Sequence, residues 1–194
     1  RGMTSVFPSI TYPNHTSLVT GALPSAHGIY GNSVYATPDR PNNGLSHWFS
    51  RDIKTDTLWD AAKRSGMTVG LVSWPVGGGA GDWNVPEIWQ PGGTISETRA
   101  VIAKNARPAG FLDELVKAVP DIFKGVTADE GDDARTTSAE YILKEKRPDI
   151  MLVHLFDLDH FQHDFGPFTT EAMAILEKTD GYVARLLAAL ESAG

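Results

Sequence analysis

The chain has 194 residues, which is enough for one domain of ordinary size with a hydrophobic core. Its 17 basic and 24 acidic residues give a net charge of −7, which argues against a nucleic-acid-binding module because such a module needs a basic face. The absence of cysteine excludes disulfides, cysteine-bound metals and a cysteine nucleophile, and no run of about 18 apolar residues predicts a membrane span.

The first predicted element is a short helix near residues 13–20, with Thr11 at its N-terminal mouth. Threonine is a residue type that caps helices, Pro13 suits a first helical turn, and Gly21 suits a C-terminal stop. Residues 22–56 lack a helical period and are rich in Gly and Pro. This composition predicts a long loop-rich stretch after the first helix.

A helix and a strand are predicted next. The residues from Thr57 to Gly66 have the apolar spacing of an amphipathic helix, and residues 67–73 form an apolar run typical of a buried strand. Residues 74–97 are rich in Gly, Trp and Pro and exceed the length of an ordinary connection. We therefore expect a functional loop or a loop-rich insertion near residues 74–108.

The second half of the chain repeats the alternation of helix and strand. Residues 109–119, 132–146 and 170–190 have helical spacing, and residues 150–156 form a nearly continuous apolar run, as in a parallel strand covered on both faces. The fold class predicted is α/β, with a mostly parallel central sheet and flanking helices in a single domain over residues 1–194. In such sheets ligands bind beyond the carboxyl ends of the strands.

An acidic and histidine-rich cluster, residues 157–167, follows the last predicted strand. Asp159 and His163 are four residues apart, so one helical turn would place both side chains on one face. A carboxylate oxygen and an imidazole nitrogen there would suit zinc. The alternative is a solvated turn whose charges have no ligand, because short motifs also occur by chance.

Two polar side chains near the N-terminus are candidates for catalysis. The hydroxyl of Thr11, at a helix N-terminus, would face unpaired backbone N–H groups at a place that binds phosphate. The alternative is that Thr11 only caps its helix. The amide of Asn32 could donate to a developing oxyanion, and the alternative is a turn residue, as is usual for Asn beside Gly.

Three separated blocks together resemble the nucleotide pyrophosphatase/phosphodiesterase family of the alkaline phosphatase superfamily. The blocks are Thr11-Tyr12-Pro13-Asn14-His15 with the following residues to Asn32, the segment from Thr57 to Gly77, and Asp159-His160-Phe161-Gln162-His163 with Gly166-Pro167. Residues 76–130 match only loosely. The resemblance implies an alkaline phosphatase-like fold. It also implies that the chain is an internal portion of the full domain, because the family's other metal ligands would lie outside it.

The resemblance also implies roles for single residues. Thr11 would be the nucleophile, forming a covalent phosphothreonine and touching one zinc ion, and Asn32 would donate to a phosphoryl oxygen in the transition state. Asp159 and His163 would bind the second zinc ion, and the ring of Tyr12 would stack on a nucleobase. Two zinc ions per complete site are implied, with other divalent metals as alternatives.

The function that follows is metal-dependent hydrolysis of phosphodiester or pyrophosphate bonds in small nucleotide-type substrates. The alternatives are a phosphomonoesterase, a hydrolase similar to phosphonoacetate hydrolase, and a non-catalytic α/β interaction domain. A nucleic-acid polymer is not expected as a partner, and a periplasmic or extracellular location is favoured by the resemblance. We expect the 194-residue chain alone to bind zinc weakly and to turn over little or no substrate.

Overall fold

The fold is an α/β arrangement, and the computed structural model describes it for residues 3–37, 44–123 and 131–194. Within these ranges the helices are α1 (Thr11–Thr20), α2 (Pro24–His27), α3 (Leu58–Arg64), α4 (Ile95–Asn105), α5 (Phe111–Ala118), α6 (Gly131–Tyr141), α7 (Asp157–Phe165) and α8 (Thr170–Ala193). The strands are β1 (Val69–Val72), β2 (Trp83–Val85) and β3 (Ile150–Val153). A 3-10 turn covers Ser50–Asp52, and a π-helical turn, Ile142–Lys146, extends α6.

The three strands form one parallel sheet in the order β2-β1-β3. This confirms the predicted mostly parallel sheet. All four residues of the central strand β1 are buried, as its apolar sequence predicts. The carboxylate of Asp149 accepts hydrogen bonds from the backbone N–H and the hydroxyl of Thr68, at 2.7 and 2.8 Å, and so fixes the register at the start of β1 and β3.

Helices cover both faces of β1, because successive side chains of a strand point to opposite sides of the sheet. Leu71 belongs to a core cluster with side chains of α1 and α3, namely Val19, Trp59 and Ala62. Val72 belongs to the cluster on the other face, with side chains of α5 and α6, namely Phe111, Leu112, Leu115, Ala134 and Ala139. The result is the layered helix–sheet–helix packing expected for a parallel sheet.

Helix α3 lies where the sequence predicts it and begins with a capping box. The hydroxyl of Thr57 accepts a hydrogen bond from the backbone N–H of Asp60 at 3.2 Å, and the Asp60 carboxylate accepts one from the Thr57 N–H at 3.0 Å. Each bond satisfies one of the N–H groups that a helix N-terminus leaves without a partner.

Substituting Thr57 by alanine is expected to lower the free energy of unfolding by about 1 kcal/mol, because the capping hydroxyl is lost. Urea denaturation followed by circular dichroism measures this change. The variant Thr57→Ser keeps the hydroxyl and should stay close to the wild-type midpoint. Equal midpoints for the alanine variant and the wild type would show that the cap contributes no stability.

Two loop predictions need correction. Residues 74–108 are not only loops, because they contain β2, which pairs with β1, and α4. Strand β2 was not predicted because it has only three residues and follows a Gly-rich segment. Residues 22–56 contain the one-turn helix α2, and residues 38–43 of that stretch lie outside the described residues.

The long helix α8 is joined to α6 by a charged side chain. Arg185 donates hydrogen bonds to the carboxylate of Glu140 at 2.7 Å and to that of Asp133 at 2.5 Å. These contacts hold α8 against α6. No helix in the described part of the chain has both the length and the apolar character that crossing a membrane requires.

Candidate active site at the carboxyl edge of the sheet

Polar and aromatic side chains follow all three strands where the strands end. Ser73 and Trp74 follow β1, Glu87 lies two residues after β2, and His154 follows β3 directly. His154 still donates its backbone N–H to the carbonyl of Val72 at 3.0 Å, which keeps its side chain at this edge. The sequence analysis missed Glu87 and His154. Their position just after a strand is the feature of the sequence that could have identified them as candidate site residues.

The first residue of α1 is Thr11, close to the predicted start of this helix. Its side chain is half-buried at the helix N-terminus, and the Ile10 side chain before it provides no capping hydrogen bond. The N-terminal end of a helix carries a partial positive charge and N–H groups without helical partners. The Thr11 hydroxyl therefore lies in an environment that favours an anion beside it.

Asn32 lies beside the start of α1, as the catalytic hypothesis requires. Its side-chain Oδ1 accepts a hydrogen bond from the backbone N–H of Tyr12 at 2.9 Å. Because this bond occupies the amide oxygen, the Nδ2 group is the end of the side chain oriented to donate. The backbone N–H of Tyr12 thus holds Asn32 next to Thr11, although the two residues are 21 positions apart in the chain.

The structure does not fit the stacking role expected for Tyr12. Its side chain is only 2% exposed and lies in a core cluster with Ile29 and Val76. Its hydroxyl donates a hydrogen bond to Oε1 of Glu87 at 2.9 Å. A side chain that is this deeply buried and held at its hydroxyl has no free surface for a nucleobase, so the stacking role predicted for Tyr12 does not fit this structure.

Two histidines lie in contact between α1 and β3. The rings of His15 and His154 are 4.5 Å apart between centroids, and Trp74 packs edge-on against His15 at 5.2 Å. Nδ1 of His15 bonds to the carbonyl of Thr11 at 2.8 Å. Burial, and then repulsion from His154, lower the pKa of His15, which favours its neutral form.

Helix α7 begins at Asp157, three residues after His154, whose ring contacts His15 of α1. The helix that carries Asp159 and the helix that begins with Thr11 therefore both adjoin the end of β3, as expected from parallel topology.

Helix α7 confirms the predicted arrangement of Asp159 and His163 on one face. Oδ2 of Asp159 and Nε2 of His163 are 3.6 Å apart, and the two side chains are 70% and 77% exposed. A second pair one residue further, His160 and Asp164, has the same spacing at 3.5 Å. Two acid–imidazole pairs thus lie on this helix, and the geometry alone does not rank them.

The donor atoms of Asp159 and His163 fit zinc in type, because carboxylate oxygen and imidazole nitrogen are zinc ligands in proteins. They supply two donors, whereas a zinc site has four ligands. Nowhere in residues 3–37, 44–123 and 131–194 do three His, Asp or Glu side chains group closely enough to hold an ion. A metal-binding role for the pair therefore stays a prediction.

A buried ionic cluster connects the start of α6 to the start of α7. The Asp132 carboxylate, fully buried at the start of α6, accepts the backbone N–H groups of Phe156 and Asp157 at 3.0 and 2.9 Å. The Asp157 carboxylate accepts the N–H of Asp132 in return at 3.0 Å. Arg135 bonds to Asp132 at 3.0 Å and stacks on the Phe156 ring at 3.6 Å.

Burial, and then the charge of Asp132, raise the pKa of Asp157 to about 6. The raised pKa shows that the folded protein binds a proton on Asp157 more tightly than the unfolded chain does. This carboxyl therefore favours folding at low pH, and its contribution is lost as the pH rises from about 4 towards 6. The cluster is maintained at neutral pH by its hydrogen bonds and by Arg135.

A cavity of about 470 Å³ opens beside the same edge, a size typical of small-molecule sites. Its wall is largely apolar, with Arg99, Arg135, Glu87 and His160 as charged or titratable members. Glu87, which accepts the Tyr12 hydroxyl, and His160 of α7 both line this cavity. The carboxyl edge of the sheet thus combines a nucleophile candidate, an amide donor, an acid–imidazole pair and a cavity.

Comparison with known proteins gives consistent matches over the whole chain. The sequence profile of the type I phosphodiesterase/nucleotide pyrophosphatase family matches residues 1–194. Ectonucleotide pyrophosphatase/phosphodiesterase family member 1 of Homo sapiens is 25% identical over 201 residues, which is 98% of this chain and 18% of that protein. Venom phosphodiesterase 2 of Crotalus adamanteus is 24% identical over 195 residues, 97% of this chain and 20% of that protein.

Solved structures show the same fold. Phosphonoacetate hydrolase of Sinorhizobium meliloti, in complex with phosphonoformate, has a TM-score of 0.63 at 25% identity, over 95% of this chain and 44% of that one. Murine ectonucleotide pyrophosphatase/phosphodiesterase 5 has a TM-score of 0.61 at 20% identity, over 98% and 43%.

The chain spans about a fifth of the length of these curated relatives and under half of the solved chains. Its three-stranded sheet with flanking helices therefore corresponds to part of an alkaline phosphatase-like domain. The family match covers every residue of the chain, including the segments that carry Thr11, Asn32, Asp159 and His163. The chain belongs to the type I phosphodiesterase/nucleotide pyrophosphatase family.

Proposed function

We propose that this chain carries the nucleophile half of a metal-dependent hydrolase that cleaves phosphodiester or pyrophosphate bonds in small nucleotide-type substrates. One observation carries the proposal: Thr11 begins a helix, and the amide of Asn32 is bonded at 2.9 Å to the N–H of the next residue. In this proposal the phosphoryl group binds at the start of α1, where the Thr11 hydroxyl would be the nucleophile, Asn32 the donor to the oxyanion and the helix N-terminus a favourable environment for the anion.

In the proposed mechanism the substrate phosphoryl group lies at the start of α1. The Thr11 hydroxyl gives up its proton to water as its oxygen bonds to phosphorus. The phosphorus–oxygen bond to the leaving group breaks on the opposite side, the leaving oxygen takes up a proton from water, and a phosphothreonine remains. Nδ2 of Asn32 donates to a non-bridging phosphoryl oxygen, whose charge grows in the transition state. Water then hydrolyses the phosphothreonine ester and restores the hydroxyl.

A neutral threonine hydroxyl is a weak nucleophile, so the proposal includes a two-zinc site. Asp159 and His163 would hold one zinc ion, and the Thr11 oxygen would contact the other. When bound, the metal pair supplies a lowered pKa for the attacking hydroxyl and water and neutralises charge on the leaving oxygen. Other divalent metals are alternatives to zinc.

A second candidate is cleavage of a phosphonate. The specific observation that favours it is the structural similarity to phosphonoacetate hydrolase, at a TM-score of 0.63 and 25% identity. Both reactions place a phosphorus centre at the nucleophile, and they differ in the leaving group. Phosphonoacetate therefore belongs in the same assay series as the phosphate esters.

The test compares bis-p-nitrophenyl phosphate, p-nitrophenyl phosphate and phosphonoacetate as substrates, with and without added zinc. It uses both the 194-residue chain and the longest polypeptide that its gene encodes. Diester turnover that EDTA stops supports the proposal. A preference for phosphonoacetate establishes the second candidate instead. No turnover of any of the three substrates by either protein would overturn both proposals and favour a non-catalytic domain.

Substituting Asp159 by asparagine is expected to weaken zinc binding more than about tenfold, because a charged ligand becomes a neutral amide. Isothermal titration with zinc measures the affinity. The matched control is Asp164→Asn, which alters the second acid–imidazole pair of α7. An effect confined to the Asp164 variant would reassign the ligand role to His160 and Asp164.

The location of the protein is also a proposal. The names of the relatives, an ectonucleotide enzyme and venom enzymes, are consistent with a periplasmic or extracellular site of action. The acidic charge of −7 is consistent with a small-molecule substrate rather than a nucleic-acid polymer. Fractionation of expressing cells followed by immunodetection tests the location.

A further inference from the structure

We infer that Glu87 is a positioning residue for the nucleophile, acting through Tyr12 and His154 rather than by touching the substrate. The inference rests on the proposed function of Thr11. Oε1 of Glu87 accepts the Tyr12 hydroxyl at 2.9 Å, and Oε2 contacts Nδ1 of His154 at 3.2 Å. One carboxylate thus joins the end of β2 to the start of α1 and to the end of β3.

The first connection reaches Thr11 through Tyr12, the next residue. Tyr12 is held at two ends, by Asn32 at its backbone N–H and by Glu87 at its hydroxyl. Burial, and then the charge of Glu87, raise the pKa of the phenol well above its ordinary value, so the hydroxyl keeps the proton that it donates. Because Thr11 and Tyr12 share a peptide plane, fixing Tyr12 limits how the Thr11 hydroxyl can move.

The second connection reaches the same residue through two imidazoles. His154 contacts Glu87 on one side and the ring of His15 on the other, with 4.5 Å between ring centroids. Nδ1 of His15 then bonds to the carbonyl of Thr11 at 2.8 Å. The two connections start at the two oxygens of one carboxylate and meet at the peptide group between Thr11 and Tyr12, one at its carbonyl through His15 and the other through the Tyr12 side chain.

This arrangement has a direct consequence for catalysis. In-line attack requires the nucleophile within a few tenths of an ångström of its productive position, and a displacement of about 1 Å can cost about 100-fold in rate. Loss of Glu87 should therefore act on kcat, while the affinity for substrate changes little.

The test is a double-mutant cycle of Tyr12→Phe and Glu87→Ala, assayed with bis-p-nitrophenyl phosphate in the active polypeptide. We expect Tyr12→Phe to lower kcat roughly tenfold and Glu87→Ala up to roughly 100-fold, with KM within about threefold of wild type. The double variant should lose little more than Glu87→Ala, because Tyr12→Phe removes only the hydrogen bond that Glu87→Ala has already removed. Glu87→Gln keeps an acceptor for Tyr12 and should restore part of kcat.

The chain offers a matched control in a second tyrosine–glutamate pair. The Tyr141 hydroxyl donates to Oε1 of Glu114 at 2.7 Å on an exposed face, away from the carboxyl edge. Tyr141→Phe removes the same atom and should leave kcat unchanged. If Tyr12→Phe lowers the unfolding midpoint but leaves kcat within twofold of wild type, the contact is only structural and the inference is wrong.

A readout that needs no turnover separates this inference from the proposed function. Amide hydrogen exchange at Tyr12 reports how firmly the first turn of α1 is held. Exchange that is faster in Glu87→Ala and unchanged in Tyr141→Phe supports positioning even in a wild-type protein without activity. Unchanged exchange in Glu87→Ala would overturn the inference, whatever the enzyme assay shows.

Discussion

Replacing Thr11 by alanine is expected to lower diester hydrolysis by about three orders of magnitude or more, because the atom that attacks phosphorus is removed. The hydroxyl lies at the N-terminus of α1, half-buried and next to the residue that Asn32 holds. Alanine is a good helix former, so the fold should persist. Initial rates with bis-p-nitrophenyl phosphate, together with circular dichroism spectra, measure the two expectations separately.

Two variants serve as controls for this prediction. Thr11→Ser keeps a hydroxyl at the same position and should retain far more activity than the alanine variant. Thr20→Ala removes a hydroxyl at the opposite end of α1, where it donates to the carbonyl of Thr16 at 2.7 Å, and should leave the rate near wild type. A Thr11→Ala protein with wild-type turnover would show that another group is the nucleophile.

Replacing Asp132 by alanine is expected to lower the free energy of unfolding by about 3–5 kcal/mol, the range for removing one partner of a buried ion pair. The carboxylate is fully buried and accepts three hydrogen bonds, from Arg135, Phe156 and Asp157. Its loss would leave the buried N–H of Asp157, the half-buried N–H of Phe156 and the Arg135 guanidinium without this partner. Urea denaturation gives the change in the free energy of unfolding.

The neighbouring aspartate provides the comparison. Asp133 also carries a carboxylate in the first turn of α6 and pairs with Arg185, but its side chain is 63% exposed. Exposed ion pairs contribute about 0–1 kcal/mol, so Asp133→Ala should change stability little. Equal losses for the two alanine variants would contradict the role assigned to burial in the cluster.

The elements that could be predicted from sequence are those with a strong local signal. Apolar runs gave β1 and β3, and helical spacing gave α3, α5, α6 and α8. Helix α4 was missed, although Thr94 and Glu97 form a capping box at its start that the sequence contains. Strand β2 was missed for a different reason: it has only three residues, too few for a pattern of its own, and only its pairing with β1 defines it.

In the candidate site too, the features set by local spacing could be predicted, and those set by contacts between distant residues could not. The spacing of Asp159 and His163 settles their common helical face, so local geometry was enough to predict it. Tyr12 is buried by Ile29 and Val76, which are distant from it in sequence. From the sequence alone, an aromatic side chain beside Thr11 fits a stacking role and a core role equally well. The same limit applies to Glu87, whose partners Tyr12 and His154 are 75 and 67 residues away.

The hydrogen bonds between Thr68 and Asp149, which set the register of β1 and β3, join residues 81 positions apart. Closing so long a segment costs conformational entropy before any contact across it offsets that cost. Contacts of such large sequence separation slow folding relative to local helix formation. Helices such as α1 and α7 can therefore form early, whereas the carboxyl edge of the sheet, where His15 of α1 meets His154 after β3, exists only after this long-range closure.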